Sequence, residues 1–176
     1  MDSAEYERKI GHRFAAFDQD GNGYIDRADF NAAAARLLAE FGTTARCDRG
    51  QALYSGAEAF WQGMAGIADV DGDQRVTRGE FAGGAVKRLR DSPERFAEIA
   101  RPFLRAALAV AAGTDPEGAA SAPVASVERA LRVLGAPEDI ASVAARSLDT
   151  DQDGRIAEEE AVAAFSAYFT VIEPDA

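Results

Sequence analysis

Three twelve-residue stretches of this 176-residue chain share one pattern of oxygen-bearing side chains. Each has Asp at position 1, Asp or Asn at positions 3 and 5, and a carboxylate at position 12. The stretches are 18–29 (DQDGNGYIDRAD), 69–80 (DVDGDQRVTRGE) and 149–160 (DTDQDGRIAEEE). Apolar residues at helical spacing lie on both sides of each stretch, so each one connects two predicted helices. A helix–loop–helix unit repeated in this way limits the chain to an all-helical fold.

Alternating oxygen donors followed by a closing carboxylate have the spacing of an EF-hand calcium loop. Calcium takes six to eight oxygen ligands at about 2.3–2.6 Å, and a short loop surrounds it only when side chains at alternate positions point inward. One acidic run alone is often a solvated turn, because Asp, Asn and Gly favour turns in any context. Three runs in the same helical context favour ion binding, so the sequence predicts three Ca2+ sites.

The last loop is the closest to the ideal pattern. Gly154 at position 6 suits the sharp turn, which needs a positive φ. Ala157 at position 9 has no side-chain oxygen, so we expect water there. The predicted ligands are Asp149, Asp151, Asp153, Arg155 through its backbone carbonyl, and Glu160 through both carboxylate oxygens.

The first loop closes with Asp29, which is one methylene shorter than the usual Glu. Two of its oxygens reach an ion only if the loop contracts, which favours octahedral magnesium or weaker calcium binding. We therefore expect Mg2+ to compete at this site. The predicted ligands are Asp18, Asp20, Asn22, Tyr24 through its carbonyl, and Asp29, with Asp26 adding charge at position 9.

The middle loop has Gln74 at position 6, where the other two loops have Gly. A residue with a Cβ in the left-handed conformation costs roughly 1–2 kcal/mol, so we expect a weakened site. The predicted ligands are Asp69, Asp71, Asp73, Arg75 through its carbonyl, Thr77 and Glu80.

One more unit fits between the middle and last loops, but its loop has lost the ligand pattern. If Asp115 is position 1, then position 12 is Ser126. If Glu117 is position 1, Glu128 closes the loop, but positions 3 and 5 are Ala and Ser. Neither register surrounds an ion, so we interpret this unit as a scaffold without metal.

The repeat predicts four EF-hand units in two pairs, packed into a compact globule. A new helix starts at Ser92 and Pro93, because proline suits the first helical position. Since paired loops are bridged at position 8, we expect Ile25 beside Val76 and Ile156 beside the degenerate loop. The N-terminal pair is 1–90, with loops 18–29 and 69–80; the C-terminal pair is 93–176, with the degenerate loop at about 115–128 and the loop at 149–160.

The chain resembles the calerythrin and sarcoplasmic calcium-binding protein family over nearly its whole length. The resemblance rests on DQDGNGYIDRADF with its Asp at position 12, on the 51-residue step from 18 to 69, and on the closely spaced second pair. It implies a compact all-helical fold and calcium buffering or signalling in the cytosol. One departure is that calerythrin-like proteins have a degenerate second unit, whereas here the third is degenerate.

Composition narrows the other function classes. The net charge of −11 disfavours nucleic acid as a partner. No apolar run approaches the roughly 20 residues of a membrane span, and the first residues lack signal-peptide features, so we expect a cytoplasmic protein. Lone His12 and Cys47 form no metal or nucleophile constellation, so we expect no enzyme activity. Two lysines against 17 arginines suggest a bacterial source.

Two roles remain open for a calcium-binding chain of this kind. The first is a calcium buffer or signal modulator that acts without a dedicated target, and a monomer is expected. The alternative is a sensor that regulates a protein partner in its calcium form. Sensors open a Met-rich groove, and this chain has only Met1 and Met64, which favours the first role.

Overall fold

A computed structural model of the chain describes residues 3–114 and 121–169, and these residues are mainly helical. The all-α class predicted from the sequence is confirmed. Among the described residues, no helix has the length and apolar character needed to cross a membrane. The elements are α1 Ser3–Phe17, β1 Tyr24–Ile25, α2 Arg27–Glu40, α3 Asp48–Ala68, β2 Val76–Thr77, α4 Arg78–Glu80, a π-helical segment Phe81–Val86, α5 Lys87–Asp91, α6 Pro93–Ala112, β3 Ser121–Pro123, α7 Val124–Val133, α8 Glu138–Leu148, β4 Arg155–Ala157 and α9 Glu158–Phe169.

Short antiparallel strands join the loops in two pairs. Strand β1 pairs with β2, with Ile25 opposite Val76, as predicted. Strand β3 pairs with β4, with Ala122 opposite Ile156, so the predicted bridge to the degenerate loop is also confirmed. This pairing makes Ala122 position 8 and Ser126 position 12, which selects the first of the two registers. Residues 115–120, the start of that loop, lie outside the described residues.

Local signals set several helix boundaries. Helix α2 stops where Gly42 takes a φ of +59°, a conformation that glycine adopts without a Cβ clash. Helix α6 begins at Pro93 after Ser92, as expected. The Ser92 side chain makes no capping hydrogen bond, so proline and the extended backbone before it define this start.

Phe60 on α3 lies at the centre of an aromatic core that the two halves of the chain share. Its ring centroid is 5.0 Å from that of Phe30 and 5.6 Å from that of Phe165. Phe96 of α6 stacks on Phe165 at 5.6 Å, which ties α6 to α9. The two halves of the chain therefore share this core, and a second apolar cluster contains the paired strand residues Ala122 and Ile156.

Helix α8 exposes two of its larger apolar residues. Ile140 and Val143 are 56% and 68% exposed, whereas Ala141 and Ala145 are fully buried. The helix packs through these alanines, which allow a close approach, and through half-buried Leu148 at its end.

Helix α3 packs closely along α6, and a glycine makes this possible. A Cβ added to buried Gly56 would lie 2.8 Å from the Cα of Phe103 and 2.8 Å from the carbonyl oxygen of Pro102. Both are backbone atoms, which cannot rotate away as a side chain would. This contact fixes the helix that leads into the middle loop against α6.

We predict that Gly56→Ala destabilises the fold by about 1–3 kcal/mol, because the added methyl overpacks the contact between α3 and α6. Gly66→Ala on the same helix is the control, since its Cβ would meet nothing within 4 Å. The control should gain about 0.5–1 kcal/mol from the better helix propensity of alanine. Urea unfolding followed by circular dichroism measures both; equal stabilities would contradict this packing.

Candidate metal centres in three loops

Each of the three loops gathers acidic side chains at one point. In every group, one carboxylate oxygen from each residue lies within 4.8 Å of the others. Oxygen groups of this density suit a hard cation such as calcium or magnesium. The groups are Asp18, Asp20 and Asp29; Asp69, Asp71 and Asp73; and Asp149, Asp151 and Glu160.

The carboxylate at position 1 holds the turn of each loop in the same way. Asp18 accepts hydrogen bonds from the backbone N–H groups of Asn22 and Gly23, both at 3.0 Å. Asp149 accepts from Asp153 and Gly154 at the same distance. In the middle loop, Asp69 accepts from Gln74 at 3.1 Å. The turn is therefore built around its first acidic residue.

The carboxylate at position 12 closes each loop by accepting from the N–H groups of positions 2 and 9. Glu160 accepts from Thr150 at 2.8 Å and from Ala157 at 2.9 Å. Glu80 accepts from Val70 at 3.0 Å and from Thr77 at 2.9 Å. The Thr150 hydroxyl also donates to Glu160, at 2.6 Å. Hydrogen bonds stabilise the charged form and lower the pKa of both glutamates, with this hydroxyl as the main cause at Glu160 and the backbone N–H of Thr77 as the main cause at Glu80.

Asp29 makes the same closure with a shorter arm. It accepts from Gln19 and from Asp26, both at 2.8 Å. To do so it is drawn inward and is only 2% exposed, and this burial raises its pKa despite the hydrogen bonds. Asp29 is thus the most deeply buried of the three closing residues, whereas Glu80 and Glu160 are half-buried.

The side chains at position 5 make local hydrogen bonds. Asn22 accepts from the N–H of Tyr24 at 2.8 Å, and Asp153 accepts from Arg155 at 2.7 Å. Asp73 accepts from Arg75 at 2.8 Å. These bonds fix position 7, where the backbone carbonyl is the predicted ligand.

The side chains at position 7 interact with the partner loop. The guanidinium of Arg75 lies over the ring of Tyr24, 5.2 Å from its centroid. Arg155 donates to the hydroxyl of Ser121 at 2.8 Å and to its carbonyl oxygen at 3.0 Å. Ser121 is position 7 of the degenerate loop, so a guanidinium binds the carbonyl that would otherwise serve an ion there.

At position 9, Asp26 and Thr77 are helix caps. Asp26 accepts from the N–H of Ala28 at 2.7 Å, and Thr77 donates its hydroxyl proton to Glu80 at 2.8 Å. Both form capping boxes with the residue at position 12. The cap at Asp26 was not predicted, and Asp26 was expected only to add charge. An acidic residue three positions before Asp29 is itself a capping signal.

Two loops carry a side chain in the left-handed conformation. Gln74 has a φ of 66°, as its place at position 6 predicted. Gln152 at position 4 of the last loop has a φ of 60°, which the ligand pattern did not predict. The other two loops have Gly21 and Gly72 at position 4, and that comparison could have revealed it. The last loop therefore departs from the other two at Gln152 as well as at Ala157.

We predict that Gln74→Gly raises the calcium affinity of the middle loop about fivefold, equivalent to about 1 kcal/mol, because glycine adopts this turn without strain. Gln74→Ala is the control, since it keeps the Cβ and should gain nothing. Calorimetric calcium titration measures the change. If the Gly and Ala variants bind equally well, backbone strain does not limit this site.

Comparison with known proteins gives a family and a fold. An EF-hand family profile matches residues 10–33. The chain is similar to a calcium-binding protein of Streptomyces coelicolor, with 64% identity and a TM-score of 0.90, covering 96% of this chain and 99% of that one. That structure describes the structural basis for prokaryotic calcium-mediated regulation by the Streptomyces protein. Its source agrees with the bacterial origin suggested by the arginine content.

More distant structures share the fold alone. Calcium-loaded apo-aequorin from Aequorea victoria has 15% identity and a TM-score of 0.71, covering 99% of this chain and 95% of that one. The magnesium-loaded ctenophore photoprotein apo-berovin has 18% identity and a TM-score of 0.67, covering 94% and 93%. Among curated proteins, no sequence matches this chain.

Proposed function

Because this chain belongs to the EF-hand family of calcium-binding proteins, we propose that it holds three calcium ions, in loops 18–29, 69–80 and 149–160. The observation that carries the proposal is the same closed arrangement in all three loops. Each has acidic oxygens within 4.8 Å of one another, and a position-12 carboxylate that joins both ends of the loop. Each group has the oxygen donors that calcium requires.

The proposed ligands are those predicted from the sequence, except at position 9. Side chains at positions 1, 3, 5 and 12 supply oxygens, and the carbonyls of Tyr24, Arg75 and Arg155 supply one more in each loop. Water completes the shell near position 9, where Asp26 and Thr77 are engaged as caps. The degenerate loop takes no ion, because its described part, Ser121 to Ser126, contains no carboxylate.

We predict that calorimetric titration gives three calcium ions per chain and that Glu80→Gln and Glu160→Gln each reduce the number to two, since each removes a closing carboxylate. Glu128→Gln is the matched control, because Glu128 would close the degenerate loop only in the register that the strand pairing rejects. It should leave three. A fourth ion, or an ion lost with Glu128→Gln, would contradict the ligand assignment.

The first loop is the proposed site of magnesium competition. Berovin, a protein of similar fold, binds magnesium in its three calcium loops. Here the support is the short arm of Asp29, which suits the smaller octahedral ion.

We predict that millimolar magnesium weakens calcium binding most at the first loop and that Asp29→Glu reduces this effect, because the longer arm reaches a larger ion with two oxygens. Glu160→Asp is the reciprocal variant and should make the last loop sensitive to magnesium. Calcium titrations with and without magnesium test both. Sensitivity that does not follow the length of the closing residue would contradict the selectivity argument.

In the cell, the proposed role is that of a cytosolic calcium buffer or signal modulator, acting as a monomer and not as an enzyme. Three features support it: one apolar core shared by both halves, a fully buried Met64, and surface acidity concentrated in the loops. A sensor would need apolar surface that calcium exposes. Here Met64 and the aromatic side chains of the core are packed against one another.

A sensor that regulates a protein partner is the second candidate. It is favoured by the calcium-mediated regulation attributed to the Streptomyces relative. Exposed Ile140 and Val143 on α8, the helix that leads into the last loop, would give such a protein a contact surface.

We predict that calcium produces no large rise in the binding of an apolar fluorescent dye, because the core is already closed in this fold. Dye fluorescence measured across a calcium titration tests this, with calmodulin as the positive control for an opening groove. A large rise would contradict the buffer role and favour the sensor.

A further inference from the structure

Three glutamates in succession begin α9, at positions 10, 11 and 12 of the last loop. Glu160, the third of them, closes the loop. Glu158 and Glu159 stand beside it and add negative charge to a region that already contains three aspartates. Like charges this close repel, and an opposing charge nearby offsets that repulsion.

Two arginines of α6 provide that charge. Arg105 donates two parallel hydrogen bonds to the carboxylate of Glu158, from Nε at 2.7 Å and from an Nη at 2.9 Å. Arg101 donates to Glu158 at 2.9 Å and to Glu159 at 2.6 Å, and also binds Glu98 on its own helix. A two-pronged contact between an arginine and a carboxylate attracts the two groups and also fixes their relative orientation.

The burial of this cluster distinguishes it from an ordinary surface ion pair. The Glu158 side chain is 13% exposed and that of Arg101 is 21% exposed, whereas Arg105 and Glu159, at 63% and 78%, face solvent. Water screens the ion pair of Glu158 and Arg101 less than an exposed pair, so this pair contributes more to stability.

The other two loops have the same contact in a weaker form. Arg27, at position 10 of the first loop, pairs with Glu58 of α3 at 3.2 Å; the two are 51% and 45% exposed. Arg78, at position 10 of the middle loop, pairs with Glu7 of α1 at 3.4 Å, with 53% and 63% exposed. Position 10 therefore ties each following helix to the leading helix of another unit. The last contact differs from the other two in its largely buried Glu158 and in the two parallel hydrogen bonds from Arg105.

We infer that Arg101 and Arg105 are positioning residues for the last ion site: through Glu158 they hold the first turn of α9, and with it the closing carboxylate of Glu160. The inference rests on the proposed function of that loop. The degenerate unit then has a structural role, because α6 is the helix that leads into its loop. A unit without ligands of its own thus helps to build the site of its neighbour.

The charge of the arginines and their positioning act in opposite directions on calcium. A positive side chain near the loop repels a cation, so removing it alone would raise the affinity, whereas loss of positioning would lower it. A variant that removes one charge of each sign keeps the net charge at −11 and isolates the positioning effect. Arg105→Gln with Glu158→Gln is such a variant.

The test is a calcium titration of the full chain followed by the backbone amide signals of Gly23, Gln74 and Gly154. Each of these N–H groups donates to the first aspartate of its own loop, at 3.0, 3.1 and 3.0 Å, so each reports one site. In the neutral double variant, calcium affinity at Gly154 should fall roughly three- to tenfold, while Gly23 stays unchanged.

The neutral pair Arg27→Gln with Glu58→Gln is the control for an exposed contact, and it should leave all three sites within about twofold. Arg105→Lys, which keeps the charge but loses the second prong, should give an intermediate loss at Gly154 only. Unchanged affinity at Gly154 in the neutral double variant, or an equal fall at all three sites, would overturn the inference. A Gly154 signal that ignores calcium in the unaltered chain would contradict the proposed function and the inference together.

Discussion

The function of this fold depends on holding several carboxylates a few ångströms apart. Two unit charges at 4 Å repel by about 1 kcal/mol in water and by about 4 kcal/mol at an effective dielectric constant of 20. Backbone N–H groups that point at positions 1 and 12 offset part of this repulsion. A divalent cation offsets the rest, so the arrangement of each loop and its affinity for an ion have one cause.

The same loop design appears three times with different weaknesses. The first has a short closing arm at the buried Asp29, the middle one a left-handed Gln74, and the last a left-handed Gln152. The last loop is also the one whose following helix is contacted by two arginines of α6, of which Arg101 is 21% exposed and Arg105 is 63% exposed. We therefore expect relative affinity to depend on strain within each loop and on the helices around it, and not on the sequence of the loop alone.

Local features were predictable from the sequence, and contacts between distant segments were not. Loop positions, the cap at Thr77 and the bridge of Ile25 to Val76 follow from spacing, because each depends on a few neighbouring residues or on a known pairing. The outward face of α8 depends on how this helix packs on its neighbours, and the contact of Arg105 with Glu158 joins residues 53 positions apart. No periodic pattern carries that information. The cap at Asp26 was predictable, because an acidic residue three positions before Asp29 is a capping signal.

We propose that three loops bind calcium and that the degenerate unit supports them without binding an ion. A crystal structure of the calcium-loaded chain, with anomalous diffraction used to locate the ions, is the decisive measurement. We expect three calcium peaks, each within about 2.3–2.6 Å of the oxygens at positions 1, 3, 5, 7 and 12, and none beside Ser121. A peak in the degenerate loop, or an empty loop at 18–29, 69–80 or 149–160 under saturating calcium, would contradict it.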